Sequence, residues 1–187
     1  MSHAFKIHKQ EAAYFLTLQI VYWIDLFSRQ CYRDIMTDSL NYCIANKGLN
    51  VFSYVIMTNH VHMLANAEDQ NLSKILGEMK TYTSKKIIEC IFNGPESRRE
   101  WMLKLFSHAA TRHKRNVNFQ VWTHENHAEE CFSPSFTFQR LKYIHENPVR
   151  ARIVNHEEDY LYSSALDYSG LKSPVNVAVI NLHSLMS

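Results

Sequence analysis

The chain has 187 residues, of which 46% are apolar, and its formal net charge is only +2. This length allows one complete hydrophobic core, and the few glycines and prolines argue against long flexible linkers. No stretch approaches the roughly 20 apolar residues of a membrane helix, and the cysteines form no C-x-x-C pair. We therefore expect one cytoplasmic domain over residues 1–187, with no membrane partner and with peripheral tails at 1–11 and 170–187.

The apolar pattern of the first half predicts a strand, a helix, two strands and a long helix. Thr58 and Asn59 are expected to form a tight turn or a bulge between the second and third strands, and Asn71 is expected to cap the long helix. The predicted strands are 13–22, 51–57 and 60–66, and the predicted helices are 31–47 and 71–91.

The second half predicts a basic helix over residues 96–114 and a short strand over 118–123. A last helix is expected to open at Ser133-Pro134 and to end before Asn147-Pro148. Together the elements favour an α+β fold with an antiparallel sheet and helices on one face.

Two histidines, His60 and His62, flank one apolar residue inside a run of strand formers. Because successive side chains of a strand point to opposite faces, both imidazoles project from the same side of the sheet. Such a pair can hold one divalent cation, and imidazole suits Zn, Mn, Fe or Ni. The alternative is a half-buried strand with two outward polar residues, since a spacing of two is a weak metal signal.

Three fragments in register resemble one family. Residues 57–64 resemble the HUH motif (His, hydrophobic, His) of the single-tyrosine transposases. Residues 143–154 are similar to the Asn-Pro-Val signature of their REP-associated branch, and residues 158–164 to its Asp-Tyr and Ser-Ser ending. The resemblance extends from about Tyr14 to Tyr168.

The resemblance implies a ferredoxin-like HUH domain, whose antiparallel sheet carries helices mainly on one face. It also implies metal-dependent cleavage and rejoining of single-stranded DNA, often at a hairpin. In this family the two histidines hold Mg or Mn, and a tyrosine attacks the phosphate to leave a 5′-phosphotyrosine. Two alternatives stay open, a DNA-hairpin-binding protein of the same fold that does not cut and an unrelated metal-dependent hydrolase.

The resemblance places the nucleophile on the helix after the histidine strand, where Tyr82 lies at the margin of the apolar face. Relatives carry an Asn or Gln one turn later as the third metal ligand, but Lys86 stands there and, when protonated, has no lone pair. The ligand then comes from elsewhere, Lys86 contacts the phosphate, or the metal site is degraded. Tyr143 lies on an apolar helix and is interpreted as a core residue, although it is the next candidate for the nucleophile if Tyr82 does not attack.

Positive charge is concentrated between residues 78 and 115, where nine Lys/Arg face four Glu, a local charge of +5. Such a field favours a polyanionic ligand, although two ordinary solvated helix faces would explain it as well. A channel for single-stranded DNA is one interpretation, with Trp101 or His113 stacking on bases. The predicted DNA contacts are Lys80, Lys85, Lys86, Arg98, Arg99, Arg112, Lys114, Arg150 and Arg152. The sequence leaves open whether the chain works as a monomer or a homodimer.

Overall fold

The computed structural model describes residues 7–10, 12–69, 71–112 and 118–181. One antiparallel sheet has the strand order β2-β3-β1-β4. Its strands are β1 (Tyr14–Gln19), β2 (Leu49–Ile56), β3 (His60–Ala67) and β4 (Glu129–Glu130). The helices are α1 (Gln30–Lys47), α2 (Leu72–Asn93), α3 (Arg99–Thr111), α4 (Pro134–Arg150) and α5 (Ala165–Tyr168). This is the ferredoxin-like arrangement that the sequence predicted.

Alternation along β1 and β3 divides the sheet into two faces. One face presents fully buried apolar side chains and is covered by α1 and α2, which pack against each other. These side chains are Leu16, Leu18, Val61 and Met63. The opposite face carries His60 and His62, and α4 packs across it onto β2 and β3. The histidines therefore lie under α4.

The turn between β2 and β3 is formed by Thr58 and Asn59, as the sequence predicted. It is closed by the Met57 amide, which donates to the His60 carbonyl over 2.9 Å. The Ile20 amide, just after β1, donates to the Asn59 carbonyl over 2.9 Å. The first residue of β3 is thus fixed in position from two sides.

Helix α4 begins as predicted, since the Ser133 side chain accepts a hydrogen bond from the Phe136 amide over 3.2 Å. Its predicted end is wrong, because the helix continues through Pro148, which is inside it. Proline has no N–H, but here the lost helical bond is confined to the last turn, where it is tolerated. As a result Asn147 is helical and lies one turn after Tyr143.

The predicted strand over 118–123 is reduced to a single bridge between Ile20 and Trp122. The Val21 amide adds a hydrogen bond of 2.9 Å to the Val121 carbonyl, so this segment follows the chain just beyond β1.

Part of the expected tail at 170–187 is integrated into the fold. Val175 is fully buried, and the Ala178 amide donates to the Val51 carbonyl of β2 over 2.9 Å. A side chain of α1 also donates to this segment. Within the described residues, no helix is long and apolar enough to cross a membrane.

Glu96 is a buried carboxylate that ties the start of α3 to the segment after β1. It accepts hydrogen bonds from the Tyr32 hydroxyl (2.9 Å) and Arg98 Nε (3.0 Å), and it pairs with Arg29 Nε (3.1 Å). Burial alone would raise the pKa of Glu96, but the Arg98 and Tyr32 hydrogen bonds lower it to about 2. Arg98 also donates to the Asp25 carbonyl over 2.9 Å. The cluster therefore holds the loop that follows β1.

Replacing this carboxylate should destabilise the protein in a pH-dependent way. Because the folded pKa is depressed, its stabilisation is present above the unfolded value near 4.5 and is lost as the pH falls towards 2. Glu96→Gln should cost on the order of 3 kcal/mol at pH 7, since it leaves two arginines without a buried partner. Urea unfolding at pH 7, 5 and 3 measures this.

The matched control is Glu89→Gln, which removes an exposed pair with Lys86. It should change the free energy of unfolding much less, at every pH. Equal losses in the two variants, or a Glu96→Gln loss independent of pH, would contradict the assignment.

Candidate active site

Four aromatic rings form a row on the sheet face beneath α4. The His60 and His62 ring centroids are 4.5 Å apart, so the two imidazoles share one face as alternation requires. Trp23 lies against His60 at 6.3 Å, and Tyr143 lies against His62 at 5.3 Å. The histidine pair thus has a tryptophan at one end and a tyrosine at the other.

The orientation of His60 is set by a chain of hydrogen bonds. Its Nδ1 lies 2.7 Å from Asn59 Oδ1, and Asn59 Nδ2 donates to Asp25 Oδ1 over 3.2 Å. Because the asparagine nitrogen already donates to a carboxylate, its oxygen is the acceptor and His60 Nδ1 carries the proton. The lone pair of His60 is therefore on Nε2.

His62 is more deeply buried, with 6% of its surface exposed. Its Nδ1 lies 2.9 Å from Thr17 Oγ1 on β1, and its ring stacks on Phe15 at 5.2 Å. Burial, then the neighbouring His60 and Arg140, lower the pKa of His62 to about 3, and burial also lowers the pKa of His60. Both rings are neutral at physiological pH, the form in which imidazole binds metals.

Tyr143 projects from α4 onto the same face. Its ring meets Phe15 edge-on at 5.8 Å, and the Arg150 guanidinium lies over it at 5.2 Å. The hydroxyl of Tyr143 makes no hydrogen bond to any residue that the structure describes, and neither does the side-chain amide of Asn147. One helical turn separates the two, so α4 presents a phenol and an amide on one side.

A family model for IS200-like transposases matches residues 10–110, more than half of the chain. The chain belongs to the IS200-like transposase family. The matched region includes both histidines but ends before α4. No curated protein matches.

Among solved structures, the chain is similar to a REP-associated tyrosine transposase bound to a REP hairpin. The two share 14% sequence identity with a TM-score of 0.62, over 97% of this chain and 94% of the other. This likeness confirms the fold that the sequence resemblance implied for this IS200-like transposase.

Tyr82 does not lie where the sequence analysis expected. The resemblance implied that the helix after the histidine strand lies beside the histidines, but α2 covers the opposite face. It packs against α1, and Thr83 of α2 accepts a hydrogen bond of 2.9 Å from Trp122 Nε1, which is bridged to Ile20 on that face. The Tyr82 side chain is 54% exposed on that layer. Lys86 pairs with Glu89 over 2.9 Å on the same helix, so it does not occupy a ligand position near the histidines.

A second tyrosine with an amide one turn later lies in the Asn-Pro signature. Tyr143 and Asn147 are four residues apart, which is the tyrosine-to-amide spacing that the resemblance describes. Sequence reasoning missed it because the helix was expected to stop before Asn147 and because Tyr143 was interpreted as a core residue.

Four of the cations predicted to contact DNA form hydrogen bonds or ion pairs with other residues of the protein. They are Lys80, Lys86, Arg98 and Arg99. Lys80 is bonded to the Thr123 carbonyl (2.6 Å) and Asn126 Oδ1 (2.8 Å), and burial lowers its pKa to about 8. Arg99 donates to two carbonyls at the end of α2, and Arg98 belongs to the Glu96 cluster. None of these four is a free surface cation.

Four of the remaining predicted cations are exposed. Lys85 lies on the outer side of α2, and Arg150 and Arg152 lie at the end of α4. The Arg112 guanidinium lies over the Tyr22 ring at 5.8 Å. Lys114 and His113 lie outside the described residues. Of these cations, Arg150 is the one in contact with the row of rings.

The hydrogen-bond chain to His60 can be tested without DNA. Asn59→Ala removes the acceptor that holds the proton on Nδ1, so the His60 ring should change from one tautomer to a mixture. Nitrogen NMR of the metal-free protein measures this directly.

The matched control is Asn66→Ala on the same strand, where the side chain accepts a hydrogen bond of 3.1 Å from Asn50 and bonds to no other residue that the structure describes. It should leave the His60 tautomer unchanged. The same tautomer in all three proteins would show that Asn59 does not determine it.

Proposed function

We propose that this chain cleaves and rejoins single-stranded DNA at hairpins through a 5′-phosphotyrosine formed on Tyr143. The supporting observation is that Tyr143, with a hydroxyl that no described residue binds, lies 5.3 Å ring to ring from His62. Membership of the IS200-like transposase family supports chemistry on DNA. The similar REP-associated transposase is bound to a REP hairpin, which supports a hairpin as the partner.

The residues at this site fit a divalent metal. The Nδ1 atoms of His60 and His62 both face neighbouring oxygens, which leaves the two Nε2 atoms for a cation. No three His, Cys, Asp or Glu side chains are grouped for metal binding in the described part of the chain. We therefore assign the third position to the Asn147 oxygen. With phosphate oxygens, this mixed set suits Mg or Mn.

A bound metal would neutralise charge on the scissile phosphate and orient it. The Tyr143 hydroxyl oxygen then forms a bond to phosphorus as the bond from phosphorus to the upstream 3′ oxygen breaks. The phenol gives its proton to solvent and the 3′ oxygen takes one up, so the upstream strand leaves with a free hydroxyl. The Arg150 guanidinium, 5.2 Å from the centre of the Tyr143 ring, would stabilise the negative charge of the attacking phenolate. Attack by a 3′ hydroxyl on the phosphotyrosine reverses the step and rejoins the DNA.

Exchanging the two tyrosines tests the nucleophile. Tyr143→Phe removes only the hydroxyl, so folding should be unchanged while covalent adducts with labelled hairpin DNA disappear. Tyr82→Phe is the matched control and should form adducts like the wild type, because α2 lies on the other face of the sheet. Denaturing gels in the presence of Mn²⁺ report both results.

Two outcomes would count against this assignment. Adducts that persist in Tyr143→Phe would mean that a different residue attacks. A wild type that binds hairpins but forms no adduct on any of them would favour a DNA-hairpin-binding protein of the same fold.

The third ligand has its own test. Asn147→Ala should weaken Mn²⁺ binding about tenfold or more in calorimetry, because it removes one oxygen donor from three protein ligands. Lys86→Gln should leave Mn²⁺ affinity unchanged, since that side chain is on the far helix layer. Loss of affinity in Lys86→Gln, or none in Asn147→Ala, would refute the ligand set.

A further inference from the structure

Two consecutive aromatic residues, Tyr22 and Trp23, form a turn directly after β1. Both have a left-handed backbone with φ of 56°, a conformation that bulky side chains rarely adopt. The turn is held by the Trp23 amide, which donates to the Ile20 carbonyl over 3.2 Å. Glycine would suit this backbone best, so the turn itself does not call for large rings.

Packing does not explain the two rings either. Tyr22 is 41% exposed and Trp23 is 62% exposed. Residues in sparsely populated backbone regions cluster at functional sites, where the surrounding structure holds them. The rings are therefore candidates for contact with a ligand.

Their location indicates which ligand. Trp23 contacts His60 at 6.3 Å, at the end of the histidine pair away from Tyr143. Tyr22 stacks on His108 at 6.2 Å beside Arg112, and it lines a hollow of about 330 Å³. An exposed aromatic surface next to a cation is the usual binding surface for unpaired bases and their phosphates.

We propose that Trp23 stacks on the base of the nucleotide immediately 5′ of the scissile phosphate. The assignment rests on the proposed function, in which Tyr143 attacks phosphorus. The attacking and leaving oxygens of phosphoryl transfer lie roughly in line on opposite sides of phosphorus. Since Tyr143 approaches from the His62 end, the leaving 3′ oxygen and its nucleotide extend towards His60 and Trp23.

In this position Trp23 would retain the upstream nucleotide between cleavage and rejoining. After cleavage the downstream strand is covalently bound to Tyr143, whereas the upstream strand, with its 3′ hydroxyl, has no covalent attachment. Stacking on Trp23, continued by Tyr22 and Arg112, holds that nucleotide in place for rejoining. Loss of the ring should therefore impair rejoining as well as binding.

Binding of hairpins with a single-stranded extension provides the test, measured in a Tyr143→Phe background so that no cleavage interferes. An abasic site is moved through the extension one position at a time. Adding Trp23→Ala should weaken binding about 5- to 100-fold, the range for one stacked base. This loss of affinity should disappear when the abasic site is directly 5′ of the cleavage point, because no base is then present to stack on the ring. It should persist when the abasic site is 3′ of that point.

Two variants control for other effects. Trp23→Phe keeps a ring and should recover most of the affinity. Tyr42→Ala removes an aromatic ring that is similarly exposed, at 57%, on α1, which covers the other face of the sheet, so it should have no effect. Equal losses on all substrates, no loss at all, or a dependence located 3′ of the cleavage point would overturn the proposal.

The result also separates this proposal from the proposed function. One outcome is that the wild type forms no covalent adduct while Trp23→Ala still weakens binding at every abasic position except one. That result would contradict cleavage by Tyr143 and would support stacking of Trp23 on one base. If adducts form on Tyr143 and the loss of affinity caused by Trp23→Ala disappears at no abasic position, the result would support cleavage by Tyr143 and would contradict stacking of Trp23 on one base.

Discussion

Pairing of β3 with strands on both of its edges is the constraint on which the site depends. Thr17 and His62 face each other across β1 and β3, and Val55 faces His62 from β2. A slip of one residue would turn both imidazoles towards α1 and α2 and bring Val61 and Met63 to the face beneath α4, so the register is strongly specified. The turn at Thr58 and Asn59, bonded to the chain after β1, fixes the same register from the strand's end.

Local sequence signals predicted most of the helices and strands and the shared face of His60 and His62, because these depend on periodicity alone. They did not predict which helix covers that face. Tyr82 and Tyr143 both lie on amphipathic helices, and only the three-dimensional placement of α2 and α4 distinguishes them. The expectation that a helix ends before an Asn-Pro pair was also wrong here. Pro148 lies in the last turn of α4, where the missing N–H costs little. With the helix ended too early, Asn147 was not seen as a partner of Tyr143.

Charge was the least informative signal. Counting Lys and Arg between residues 78 and 115 cannot show which of them bond to carbonyls or carboxylates inside the fold. Lys80, Arg98 and Arg99 stabilise loops and helix ends, and the Glu96 cluster holds the segment that carries Trp23 and Asp25. The basic segment therefore supports the site largely by fixing the chain around it.

The two halves of the proposed site come from distant parts of the chain, since Tyr143 follows His62 by 81 positions. Contacts between such distant residues form only after the intervening chain is available to close the loop. During synthesis the histidine strand is made well before α4, and until α4 docks the histidines have no tyrosine beside them. A nascent or interrupted chain would thus expose the two histidines without the proposed nucleophile, and the proposed capacity to cut DNA would arise only once α4 has been made.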